Sequence, residues 1–218
     1  MIRVDFSVPA EFEEMPLGMD FDTAWATVNA RSTSASLAPE AEQQPRAEIA
    51  RTLQQISRLL AEVGVVYTAT SLQSVEGETS IGSLAVAVVD FPYGDDPATA
   101  VRGTLRGILD SQREGWAASV IDAPCGQAAV FTGSQIYVLP AVFSPSGEEL
   151  KVLTAQFHAI IPIPPKAGGG GQRMCLVAFS TPQIAHWERC YAPIMATVLR
   201  SLHFREEAES NNGDGIEL

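Results

Sequence analysis

The chain has 218 residues, 46% hydrophobic and 18% charged, a composition that suits one globular domain with a sizeable core. Its formal net charge of −12 repels phosphate backbones and anionic lipid, which argues against nucleic-acid and membrane partners and leaves basic proteins or cationic ligands. Three cysteines without a CxxC pair point to free thiols in a reducing compartment. The acidic N-terminus lacks the pattern of a signal peptide, and no stretch approaches the roughly 20 apolar residues of a membrane span, so the expectation is a cytoplasmic protein.

Ile2, Val4, Phe6 and Val8 alternate with polar residues and predict a half-buried strand over 2–8, stopped by Pro9. Residues 20–31 predict a short helix, and 32–45, rich in Ser, Ala, Pro, Glu and Gln, read as an internal linker. A helix follows over 46–63, with Ile49, Leu53, Ile56, Leu60 and Val63 on one apolar face. Pro45 suits its start and Gly64 its stop. Strands are predicted over 65–73 and 80–91 around an EGE turn. The second is apolar on both faces from Ala85 to Val89, which places it centrally in a sheet.

Asp95, Asp96 and Pro97 supply a cap and a first-turn proline for a helix through Leu109, with Val101, Leu105, Ile108 and Leu109 inward. Gly103 and Gly107 weaken it, each by roughly 1 kcal/mol relative to alanine, and are read as permitting close approach to the sheet. Three short strands are predicted over 116–122, 127–133 and 135–143, joined by the APCG turn and a Gly-Ser turn, with a further turn at 144–149. In 152–161, Leu153, Ala155, Phe157, Ala159 and Ile161 make a buried face, while Thr154, Gln156 and His158 form a partly wet one. A glycine hairpin and an apolar strand, RMCLVAFS, lead to a closing helix. Its inner stripe is Ile184, Trp187, Tyr191, Ile194, Met195, Val198 and Leu202, with a kink or break at Pro193. Residues 205–218 read as an acidic disordered tail. Tight turns demand antiparallel pairing, so the expected fold is α+β: a single antiparallel sheet flanked by helices in one domain over 1–204.

Within 80–204, one strand ends in Phe179, Ser180, Thr181 and Pro182, and the last helix closes with Val198, Leu199, Ser201, Leu202 and Phe204. This pattern resembles the PsbP-like, Mog-type α/β/α sandwich, in particular its actinobacterial LpqN-type branch. Members of that fold mostly act as binding or assembly factors. The resemblance therefore implies a binding role and carries over no catalytic residue.

Candidate chemistry is sparse. Cys125 in its turn and His158 on its polar strand face are the types a thiol enzyme needs, against the plainer reading of an incidental turn cysteine. His186 and Cys190, four apart on a helix, match two ligands of one metal, but no second pair exists, and solvent exposure explains them. His203 reads as a satisfied histidine at a chain end. Gly168, Gly169, Gly170 and Gly171 run into a strand without a following GK[ST], so they read as a flexible hairpin tip open to a partner and not as a phosphate loop. Trp187 reads as core, while Trp25 is a candidate for recognition. The leading expectation is a non-enzymatic binding or assembly protein with a protein partner and no cofactor. The first alternative is a small-molecule or lipid binder with a pocket between sheet and helix, and the second is a thiol enzyme. The candidate binding residues are Trp25, Thr154, Gln156, His158 and the four glycines.

Overall fold

Seven antiparallel strands form the centre of the molecule, and their register decides which side chains share a face. The computed structural model describes residues 2–32, 43–110, 115–139, 141, 147–164 and 171–206. The strands are β1 (Ile2–Asp5), β2 (Phe12–Glu14), β3 (Val65–Val75), β4 (Glu78–Asp90), β5 (Ala117–Ala123), β6 (Gly126–Leu139), β7 (Leu150–Ile163), β8 (Arg173–Thr181) and β9 (His203–Glu206). The helices are α1 (Phe21–Ser32), α2 (Gln43–Glu62), α3 (Pro97–Asp110) and α4 (Ala192–Ser201). The large sheet runs β2-β3-β4-β8-β7-β6-β5, so β4 lies centrally, as its apolar faces predict.

The expectation of a single sheet is corrected, because β1 and β9 pair as a separate two-stranded ribbon with Ile2 opposite Glu206. Residues 205 and 206 therefore belong to a strand, and the rest of the tail reading lies outside the described residues. Most of the linker reading, residues 33–42, also lies outside them.

One face of the sheet carries the main core. Leu84, Val86, Phe157, Ile161, Cys175, Val177 and Phe179 meet Tyr191, Met195, Val198 and Leu202 in the main core, and the ribbon packs against the same cluster through Ile2, Val4 and Phe204. The closing helix is in three parts: a 3-10 turn at Ile184–His186, a π turn at Trp187–Tyr191, then α4. Pro193 falls in the first turn of α4, where its missing donor costs nothing. The changes of pitch ahead of it alter the inner stripe. Ile184 turns out to solvent while His186 turns in.

The opposite face is covered only in part. α3 packs Val101, Leu105 and Ile108 on Ala129, Phe131 and Ile160 over the β5–β7 side. Asp96 caps it, its Oδ1 accepting from the Ala98 amide at 2.9 Å. The placement of the Leu109 side chain lies outside the described residues. Gly103 and Gly107 do not mediate approach to the sheet. They are exposed, and a Cβ at either would meet nothing within 4 Å. At the other edge, α1 and α2 form a hairpin with a small cluster of their own, in which Met19, Ala24, Val28 and Ala50 are buried.

The inner side of α2 also differs from expectation. Ala50 and Ser57 are wholly buried, whereas Ile49, Ile56, Leu59 and Val63 lie on the surface. Small residues let α1 approach closely, and the Ser57 hydroxyl accepts from the Met19 amide at 3.0 Å, fixing that side inward.

The two strands expected over 127–133 and 135–143 are one continuous strand, β6, through Leu139. Gly133 is no turn. The Trp116 ring lies against it, and a Cβ there would come within 2.5 Å of Trp116 Cδ2.

Candidate functional site

Between α3 and the α1–α2 hairpin the open face of the sheet forms a trough. Its floor follows from register. One row across the strands reads Thr70, Ser83, Ser180, Gln156 and Gly133. The next reads Thr68, Ala85, Ala178, His158 and Phe131, and the one beyond it Ala87, Leu176, Ile160 and Ala129. A polar row thus lies beside two rows that are mostly apolar and small.

Two cavities occupy the trough. One, of about 450 Å³, lies under α3 against Ile108, Trp116, Phe131, Ile160 and Leu176, with Gly107 on its lip. The other, of about 310 Å³, lies between Leu60 of α2 and Tyr137 of β6 over the polar row. They meet at His158 and Ala178, which line both. Among the described residues lining them, none is Asp, Glu, Lys or Arg.

The polar groups are held in place from below. Gln156 is 4% exposed and donates Nε2 to Thr154 Oγ1 at 2.8 Å. Thr154 in turn donates to the Gln135 carbonyl at 3.1 Å. No described residue hydrogen-bonds to Gln156 Oε1, nor to the side-chain hydroxyls of Ser83 and Ser180. His158 stacks on Trp116 with ring centroids 5.5 Å apart. Sequence alternation marked Thr154, Gln156 and His158 as one face. It gave no sign of Trp116, Ser83, Ser180 or Ala178, which only the register across strands brings beside them.

The remaining candidates lie elsewhere. Cys125 packs against the core on the α4 side of the sheet, together with Cys175, so the sheet separates it from His158. Burial pushes its thiol pKa up, partly offset by its backbone hydrogen bond, which does not favour a thiolate nucleophile. His186 is buried, contrary to the exposure expected of it. Its Nδ1 lies 3.0 Å from Ser80 Oγ, which lies 2.7 Å from the Tyr191 hydroxyl, and its Nε2 lies 3.8 Å from Glu78 Oε2. This network ties the 3-10 and π turns to β4, helped by Arg189 donating to Glu76 at 2.9 Å and by the Ile81 amide donating to Gln183 at 2.9 Å.

Cys190 is half-buried against the main core. Among the described residues no group of three or more His, Cys, Asp and Glu is placed to hold a metal ion. Trp25 is half-buried in the hairpin, its ring 6.2 Å from that of Phe21. Trp187 packs on Phe157 and Phe179, and His203 is exposed on β9. Gly171 is exposed, while Gly168, Gly169 and Gly170 lie outside the described residues. Among the described residues no helix is long and apolar enough to cross a membrane.

No protein-family model matches the chain, and no curated protein matches it in sequence. Among solved structures the chain is similar to LpqN of Mycobacterium tuberculosis, described as involved in cell envelope biogenesis. The two share 11% identity with a TM-score of 0.45, over 94% of this chain and 84% of that one. At that level the similarity carries neither function nor site from one chain to the other.

Proposed function

We propose that this is a binding protein that holds a small, largely apolar molecule in the trough between α3 and the α1–α2 hairpin. The observation that carries the reading is the pair of cavities that share His158 and Ala178 in their lining, on a stretch of sheet that no described helix covers. Ligand sites are typically clefts of about 300–1,000 Å³ with apolar walls and a few fixed polar groups. A binding role in place of catalysis is supported by the sheet lying between Cys125 and His158. The sequence's resemblance to the PsbP-like, Mog-type sandwich, whose members mostly act as binding or assembly factors, is compatible with it.

The test is displacement of a fluorescent apolar dye from the full chain. Ala178→Phe fills the junction of both cavities. It is expected to abolish dye binding while the far-ultraviolet circular dichroism stays unchanged. Undiminished binding in that variant removes the trough as the site.

A second reading, a protein partner, is favoured by a different observation. β6 and β7 extend beyond their neighbours as a two-stranded arm that exposes Ile136, Tyr137, Val138, Leu150 and Leu153. Large exposed apolar clusters of this kind mark interaction surfaces. Loss of partner capture on Ile136→Glu, with dye binding retained, separates the two readings.

A further inference from the structure

Resting on the trough as the binding site, we propose that its ligand is an uncharged amphiphile. Its hydrogen-bonding head lies on the row Ser83, Ser180 and Gln156, and its aliphatic body runs under α3 toward Trp116 and Leu176. Three observations carry this. The first is the order of the floor. The polar row is confined to the cavity beside α2, and the cavity beneath α3 is lined by Ile108, Phe131, Ile160 and Leu176.

The second is Gln156. The residue is only 4% exposed and its Nε2 is committed to Thr154, while its Oε1 has no partner among the described residues and is not occluded, so it opens onto the cavity. That oxygen accepts, so it asks for a hydroxyl or amide donor. The neighbouring serine hydroxyls, facing each other in register, both donate and accept.

The third is charge. The chain carries 26 acidic and 14 basic residues, yet none of the described residues lining the cavities belongs to either set. A carboxylate or ammonium head would be desolvated there with no Asp, Glu, Lys or Arg side chain in the described lining to pair with it. A hydroxylated neutral head loses only hydrogen bonds to water, and the row replaces them.

The test uses the full chain and four ten-carbon probes: 1-decanoylglycerol, methyl decanoate, decanoate and decyltrimethylammonium. The glycerol ester is expected to bind about tenfold more tightly than the methyl ester, and both charged probes more weakly than either. Gln156→Met and, separately, Ser180→Ala are expected to shrink the glycerol advantage at least about threefold while leaving the methyl ester affinity in place. Ser180 lies on the open face, so its variant guards against a folding defect at buried Gln156. Decanoate or the cation binding as tightly as the glycerol ester overturns the inference, as does an undiminished glycerol advantage in both variants. Binding of the methyl ester without any glycerol preference sinks the head-group inference but leaves the trough as a binding site. Failure of all four probes removes the binding-site reading itself.

Discussion

Gly133 sits in mid-strand, where glycine lacks a side chain to pack and weakens the pairing. The Trp116 ring occupies the space where its Cβ would stand, and His158 stacks on that same ring. Gly133→Ala forces the indole outward by contact with its inner ring atoms. We expect a loss of about 1–3 kcal/mol, read from denaturant unfolding, together with an altered near-ultraviolet signal from the displaced tryptophan. Cys175 shows a different constraint. An unfolded cysteine ionises near pH 9.0, whereas burial pushes this thiol up to about 12. Between those values the folded chain keeps a proton that the unfolded chain has released. Stability is therefore full below the unfolded value and falls as pH rises, by at most about 1.4 kcal/mol per pH unit for one proton. Burial also raises Tyr67 and Tyr93, which add to the loss above pH 10.0. Cys175→Ala is expected to flatten the decline in unfolding free energy between about pH 9 and 10, and an unchanged slope would assign it to other groups.

α2 shows how a helix can be found correctly and faced only in part. Its periodicity places Ile49, Leu53, Ile56, Leu60 and Val63 on one stripe; Leu53 packs into the hairpin cluster and Leu60 lines the trough, but Ile49, Ile56 and Val63 face solvent. The inward side is chosen by Ala50 and Ser57, small enough for α1 to come close. Ile56→Gln is accordingly expected to change stability by less than about 0.5 kcal/mol, whereas Ala50→Leu costs about 1–3 kcal/mol by overpacking. A cost of about 2 kcal/mol or more for Ile56→Gln would restore the face read from periodicity. The same physics limits the rest of the sequence reading. Strand alternation identified the Gln156–His158 face because the period of two is local. The partners of that face come from β4, β6 and β8, and no local pattern states register between strands far apart in the chain. The π turn escaped for a related reason, since Trp187–Tyr191 looks like ordinary helix in composition and only the backbone hydrogen bond from Ala192 back to Trp187 reveals the widened pitch.

Over the whole molecule the two faces of the sheet differ in completeness. The α4 side carries the main core under helix and ribbon, and among the described residues the other side has helices at its two margins with a gap over β4, β8 and β7. A ligand bound there fills the missing part of a layer, so it is expected to raise the melting temperature with the logarithm of its concentration above Kd. At about a hundred times Kd that amounts to about 2.7 kcal/mol, measurable by thermal scanning.

The β1–β9 ribbon makes the fold almost a ring, since residues 2 and 206 are register partners. The ribbon packs on the cluster beneath α4, on the far side of the sheet from the trough. A surface anchor grafted near residue 2 or residue 206 would therefore attach the molecule by its back. The trough face would point outward in either case, and the identity of the anchored end would make no difference to what the trough can reach.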